Sequence, residues 1–262
     1  MAKIGIFDSG VGGLSVFREI RKVLPEESYI YYSDSAYCPY GEKSHEAIIG
    51  RCRTITEFLL KEGADIIVVA CNTATAAAIK TLREEYAVRF IGMEPAIKPA
   101  ARMTKSGVVG VLATAGTLKS EKYLRHKEKY ASDIKIVEHV GEGFVELVEK
   151  GITSGSEAIN TVRHSLEPLL QAGADTIVLG CTHYPFLADA LKSAAENITG
   201  CATIQLIDPA PAIAKRLIEV INEESISITS GRVPEDGSAI KPVSLHTSGD
   251  MEILQKVHKS LT

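Results

Sequence analysis

No two cysteines in this chain stand as a CxxC pair, and the five present, Cys38, Cys52, Cys71, Cys181 and Cys201, are odd in number. That excludes a zinc ribbon and gives no disulfide framework, so any cysteine chemistry here is that of free thiols. No run of Lys and Arg makes the stripe of a protein that tracks phosphates, and the net charge is -4 with a pI near 6.0. Nucleic acid is therefore not an expected partner. The longest apolar stretches, such as residues 66–71, fall far short of the roughly 20 residues that cross a bilayer, so no membrane partner is expected either. The lead-in Met1-Ala2-Lys3 passes at once into Ile4-Gly5-Ile6-Phe7, without the apolar region of a signal peptide. A cytoplasmic protein is the expectation.

What is present is ordinary globular material, 45% hydrophobic and 24% charged over 262 residues. At roughly 150 residues per domain, that length predicts about two cores. Short β-branched runs at 4–7, 29–33, 66–70, 108–112, 134–137 and 176–179 alternate with helical patterns at 44–61, 73–85, 156–171 and 186–196. The alternation predicts an α/β fold with mostly parallel sheets, and the continuously apolar runs predict strands covered on both faces.

The most informative pattern is an internal repeat. Gly63-Ala64-Asp65 through Ala70-Cys71-Asn72-Thr73 returns as Gly173-Ala174-Asp175 through Gly180-Cys181-Thr182-His183, 110 positions later. A weaker echo joins Gly5-Ile6-Phe7-Asp8-Ser9-Gly10 to Gly110-Val111-Leu112-Ala113-Thr114-Ala115-Gly116 at a similar offset. Duplication predicts two similar α/β domains related by a pseudo-twofold axis, residues 1–95 with 208–262 and residues 96–207. Each carries one strand-end cysteine, and the two thiols are expected to meet across one cleft. Residues 226–230 and 243–246 read as short strands returning to the first domain, with a loop at 231–242 between them.

In open parallel sheets, ligands gather at the carboxyl ends of the strands, where Cys71 and Cys181 fall. A thiol at a helix N-terminus has its thiolate stabilised by the dipole and free amides. Cys38, Cys52 and Cys201 read instead as small buried hydrophobes, the usual lot of a free cysteine. The turn Asp8 to Ser15 follows a strand and opens a helix, so its glycines could bring amides to an anion. It is neither the GxGxxG fingerprint nor a P-loop, and a tight βα turn explains it equally well. Asp8 could orient an ammonium or a neighbouring thiol. Asp34-Ser35 and Pro39-Tyr40-Gly41 read as turn chemistry after the second strand. Thr114 and Thr117 read equally as caps or as ligand hydroxyls. Asn72, Thr73 and Thr182 suit helix capping or a carboxylate. His183 could polarise the thiol two residues before it, whereas Glu149 reads as a solvated helix end.

In their order along the chain these elements resemble the glutamate racemases of the aspartate/glutamate racemase superfamily: Asp8-Ser9-Gly10-Val11-Gly12-Gly13, Asp34-Ser35, Pro39-Tyr40-Gly41, Cys71-Asn72-Thr73, Thr114 with Gly116-Thr117, Glu149 and Cys181-Thr182-His183. The resemblance implies a cofactor-independent enzyme with no metal. In it Cys71 works on D-glutamate with Asp8 in support, and Cys181 on L-glutamate with His183 and Glu149 in support. It implies substrate contacts from Asp8, Ser9, Asp34, Ser35, Pro39, Tyr40, Gly41, Asn72, Thr73, Thr114, Thr117, Thr182 and His183. It further implies a homodimer that supplies D-glutamate for peptidoglycan. One departure stands out: residues 140–144 read Val-Gly-Glu-Gly-Phe, where many relatives carry a Cys-Pro pair. The short lead before Lys3 sets the expectation that activation by a cell-wall precursor, a property of extended relatives, does not carry over. The competing readings are an aspartate racemase, a noncatalytic binder of small anions and, weaker still, a thiol redox protein, which lacks a neighbouring resolving cysteine.

Overall fold

The computed structural model describes residues 2–130, 132–200, 204–224, 226 and 243–261. In chain order it runs β1 (Lys3–Asp8), α1 (Leu14–Val23), β2 (Ser28–Ser33), α2 (His45–Lys61), β3 (Ile66–Val69), α3 (Asn72–Glu85) and β4 (Arg89–Gly92). It continues with α4 (Ile97–Met103), β5 (Val108–Ala113), α5 (Ala115–Leu118), α6 (Glu121–Tyr130), β6 (Lys135–Val140), α7 (Phe144–Glu149), α8 (Gly155–Gln171) and β7 (Thr176–Gly180). The last described elements are α9 (Ala188–Thr199), β8 (Gln205–Ile207), α10 (Ala210–Glu223), β9 (Val243–Thr247) and α11 (Met251–Lys259). The chain divides into two compact units, Met1–Met93 with Ala210–Thr262, and Glu94–Pro209.

The first unit holds a five-stranded sheet in the order β4-β3-β1-β2-β9, parallel at every pairing. The second holds a four-stranded parallel sheet in the order β6-β5-β7-β8. Read from its other edge, the second order reproduces β4-β3-β1-β2, and β9 is the strand the first unit adds. The α/β class with parallel sheets is thus as the alternation predicts. β3 is buried along its whole length as Ile66-Ile67-Val68-Val69, and β7 as Thr176-Ile177-Val178-Leu179-Gly180. Helices cover both faces of such strands, which is why their sequence shows no alternation.

Packing explains why the repeat is written as it is. A Cβ on Gly5 would sit 3.3 Å from Leu59 and 3.5 Å from Ile67, and one on Gly110 would sit 3.0 Å from Leu169 and 2.6 Å from Ile177. The same trio recurs in each unit, a glycine on the central strand letting a helix leucine lie directly on the sheet. Gly63 and Gly173, at φ 84° and 92°, end α2 and α8 in the left-handed conformation that closes a helix C-terminus. The aspartates that follow are strand-starting clamps. Asp65 accepts from the Lys3 amide at 2.8 Å. Asp175 accepts from the Lys105 and Ser106 amides at 2.8 and 2.7 Å and from the Thr104 hydroxyl at 2.6 Å.

Some boundaries differ from the sequence reading. Residues 186 and 187 belong to a single 3₁₀ turn, Tyr184–Leu187, and α9 starts only at Ala188. The short edge strands β4 and β8 carry too few residues to announce themselves. Residues 243–246 do form a strand, β9, beside β2, whereas Cys201, residues 227–230 and the loop expected at 231–242 lie outside the described residues. Cys52 is fully buried, as a structural cysteine should be, but Cys38 is only half-buried.

The Asp175 clamp has a consequence in pH. Partial burial raises its carboxyl, but hydrogen bonds from Thr104, Ser106, Lys105 and Thr176 overcome that and hold it at about 2. A carboxyl held below its unfolded value stabilises the fold above that value, and the contribution disappears as the pH falls through the folded one. Asp175→Asn should therefore cost about 1 kcal/mol at pH 7, a figure reduced for solvent screening, with the gap to the parent closing between roughly pH 4 and 2. Urea unfolding across that range measures it; a gap independent of pH would reject the assignment.

Candidate functional site

In the first unit the chemistry gathers where β1, β2 and β3 end side by side. Asp8 closes β1 and is fully buried. Its Oδ2 accepts from the Gly13 amide at 2.7 Å, and Ser9 Oγ reaches its Oδ1 at 3.4 Å. The glycine turn thus does bring an amide to an anion, and that anion is the protein's own. Gly13 has no room for a side chain, because a Cβ would lie 2.6 Å from Asp8 Cβ and 2.8 Å from the Tyr31 hydroxyl. Tyr31 in turn donates to the Gly10 carbonyl at 3.0 Å and braces the turn from β2.

Cys71 occupies the N-cap of α3 and is 5% exposed. Its sulfur accepts from the Ala74 amide at 3.4 Å and lies 3.7 Å from Ser9 Oγ. Negative charge on this sulfur is met by an amide and the positive end of a helix, which is what a reactive thiolate needs. Asn72 and Thr73 follow on the first turn of α3. The Asn72 Oδ1 atom is buried and finds no hydrogen-bond partner, an acceptor held ready beside the thiol.

Next to β1, the Asp34 amide donates to the Asp8 carbonyl at 2.9 Å. Its fully buried carboxylate accepts from Arg51 Nη2 at 2.7 Å and Nε at 2.9 Å, and from the Tyr40 hydroxyl at 2.5 Å. Both oxygens of Asp34 are engaged by the protein itself. Ser35 Oγ shares a hydrogen bond with Ser33 Oγ at 2.8 Å, and Pro39 leads into the 3₁₀ turn Tyr40–Glu42 that contains Gly41. Burial, then the Asp34 hydrogen bond, pushes the Tyr40 phenol far above its ordinary value, so it stays a donor at any working pH.

The second unit escorts its thiol differently. Cys181 follows β7 but does not cap a helix, contrary to the expectation drawn from the repeat. The chain turns at once, with the Tyr184 amide on the Cys181 carbonyl at 3.1 Å, and α9 begins seven residues later. Tyr184 forces this path by burying its ring edge-on against Phe144, with centroids 4.9 Å apart, and beneath Gly141, where a Cβ would lie 2.5 Å from the phenol oxygen. Gly141 is part of the departing 140–144 segment, which gives way to the tyrosine. In place of helix amides, Cys181 Sγ meets His183 Nδ1 at 3.7 Å, and His183 Nε2 lies 2.6 Å from Glu149 Oε1. With Nε2–H donating to the carboxylate, Nδ1 is the acceptor that faces the sulfur. Glu149 is thus a partner at the end of α7 and not a solvated helix end.

Thr182 is buried next to these groups. Thr114, at the end of the neighbouring strand β5, caps α5 by accepting from the Thr117 amide at 3.2 Å and donating to its hydroxyl at 3.0 Å, so capping is one role of that pair. Arg51, Tyr31 and Tyr184 carry no motif. They act through partners 17 to 43 residues away, which no local pattern reveals.

Each α/β unit thus carries a strand-end thiol with its own polar escorts. The chain belongs to the Asp/Glu/hydantoin racemase family, whose model matches residues 4–217. It is 46% identical over 257 residues to the glutamate racemase of Ectopseudomonas mendocina (strain ymp), covering 98% of this chain and 93% of that one. Among solved structures, Escherichia coli glutamate racemase in complex with L-glutamate and the activator UDP-MurNAc-Ala matches with a TM-score of 0.83 at 33% identity, over 99% of this chain and 95% of that one. Glutamate racemase from Francisella tularensis subsp. tularensis SCHU S4 in complex with D-glutamate matches with a TM-score of 0.79 at 26% identity, over 99% and 93%. No helix among the described residues is long and apolar enough to cross a membrane.

Gly13 provides a direct check on the first thiol's surroundings. Gly13→Ala should cost about 1 to 3 kcal/mol, since its methyl must displace Asp8 or Tyr31 from a packed turn. The double variant Gly13→Ala/Tyr31→Phe removes one of the two clashes and should regain part of the loss. Equal unfolding midpoints for Gly13→Ala and the parent would contradict the packing.

Proposed function

We propose that the protein interconverts L- and D-glutamate without a cofactor, with Cys71 and Cys181 as acid and base on opposite faces of the α-carbon. The observation that carries this reading is the pair of strand-end thiols, each with its own proton-handling neighbours: Ser9 and Asp8 for Cys71, His183 and Glu149 for Cys181. Family membership supplies the substrate class, and the glutamate racemases among the relatives favour glutamate over aspartate.

In the L-to-D direction, His183 takes the proton of Cys181, and Glu149 steadies the imidazolium. The Cys181 thiolate then takes the α-proton of L-glutamate, and the electron pair left on the α-carbon delocalises into the α-carboxylate. The Cys71 thiol delivers its own proton to the other face and becomes a thiolate, held by the Ala74 amide and the α3 dipole. The D-to-L direction reverses these roles. The transient carbanion has to be met by donors already in place, because thiols alone are far too weak as bases to generate it freely. Thr73, Thr114, Thr117 and Thr182 are hydroxyls for the substrate carboxylates, with Ser9, Ser35, Gly41 and the turn at Pro39-Tyr40 alongside. Asn72 Oδ1 is an acceptor for the ammonium, a role that Asp8 shares. A homodimer in the cytoplasm supplying D-glutamate to peptidoglycan completes the proposal.

Cys71→Ser and Cys181→Ser should each lower racemisation by about 10³-fold or more, and His183→Asn should lower kcat/KM by roughly 10²-fold in both directions, because enantiomers are equal in free energy. Chiral chromatography of glutamate and aspartate incubated separately with the protein checks this. Turnover of aspartate alone would reassign the substrate, and full activity in either serine variant would reject the two-thiol mechanism.

A further inference from the structure

Arg51 lies on α2, away from both thiols in sequence, yet it holds the most elaborate ion pair of the first unit. Its guanidinium grips both oxygens of Asp34 and lies 3.9 Å above the Tyr37 ring, so its plane is fixed from two sides. The pair is largely withdrawn from water, with Asp34 fully buried and the Arg51 side chain 21% exposed. A buried ion pair adds little net stability over an apolar pair of the same shape, so its value here is geometric.

That geometry leads to Cys71. The Asp34 oxygen that takes Arg51 Nε also takes the Tyr40 hydroxyl, and Tyr40 belongs to the same buried cluster as Cys71. The Tyr40–Glu42 turn packs against α3, the helix that Cys71 caps. It is one 3₁₀ turn of three residues with no side-chain cap, and such a turn has little stability of its own. The Asp34 amide meanwhile bonds the Asp8 carbonyl, so the same clamp ties the end of β1.

We propose that Arg51 is a positioning residue for the Cys71 half of the site, fixing through Asp34 the Tyr40–Glu42 turn against Cys71. Its kinetic consequence rests on the glutamate-racemase reading; its structural consequence does not. Removing the clamp frees the turn, weakens the grip on substrate and uncovers Cys71, while the α2 backbone and the thiols themselves are untouched.

The test compares the parent, Arg51→Lys, Tyr40→Phe and the double variant Arg51→Met/Asp34→Asn. The double variant leaves no unpaired charge buried, so it keeps the fold within reach if Arg51→Met alone does not. Arg53→Met is the control, since Arg53 pairs with Glu85 on the exposed side of the same helix. Alkylation of Cys71 by iodoacetamide, located by peptide mass spectrometry, should quicken by about fivefold or more in the double variant and stay at the parental rate in Arg53→Met. KM for both glutamate enantiomers should rise about tenfold with kcat within roughly threefold, and Arg51→Lys should recover only part, because an ammonium cannot grip both oxygens at once. Parental alkylation and parental KM in the double variant would overturn the proposal, as would losses that merely follow the melting temperature. If the parent does not turn over glutamate, the function fails, and the alkylation rates still decide the clamp.

Discussion

Two carboxylates with no access to water, Asp8 and Asp34, stand at the ends of adjacent parallel strands, and the first unit is arranged around satisfying them. An unmatched buried charge is expensive, so each has drawn in fixed donors. Asp8 took the Gly13 amide, which allows no side chain at residue 13 and draws the turn between β1 and α1 tight. Asp34 took a guanidinium and a phenol, which orders the segment after β2. The result is a rigid rim around Cys71 made from groups that do not themselves have to react.

The second unit repeats the scaffold and not the solution. Ala113 stands at the end of β5 where Asp8 ends β1, so that strand itself ends without a carboxylate. The polar neighbours of its thiol come instead from the turn after β7 and the end of α7, as His183 and Glu149. The repeat keeps what packing requires: the Gly-Leu-Ile trio, the left-handed glycine that ends α2 and α8, and the aspartate that precedes β3 and β7. It left the escorts of the thiols free to differ. Two thiols in different surroundings suit the proposed reaction, whose two substrates are mirror images.

The parts legible in sequence were those with a local signature. β3 and β7 were plain as unbroken apolar runs, and Cys71 with Asn72-Thr73 announced a strand end passing into a helix. Cys181 carried the same signature and misled, because whether α9 begins at once is decided by where Tyr184 buries its ring, against Phe144 some forty residues earlier. Read locally, Glu149 is a solvated helix end, and only the family resemblance assigns it to the second thiol, because its partner His183 is distant in sequence. Arg51 was invisible, since one arginine on an amphipathic helix has no feature that separates it from Arg53, which faces outward. β4 and β8 leave no trace in the sequence, because four and three residues at a sheet edge are too few for a periodic signal.

The central claim is that two different sulfurs serve the two faces of one α-carbon, and the fate of the hydrogen tests it most directly. L-glutamate bearing its natural α-hydrogen is incubated with the enzyme in deuterated water and sampled after the first few per cent of turnover. The account predicts D-glutamate carrying one α-deuterium from Cys71, while the remaining L-glutamate keeps its hydrogen, because Cys181 returns only what it took. D-glutamate that retains the substrate hydrogen, or L-glutamate labelled as fast as product forms, would mean that one base serves both faces and would contradict it.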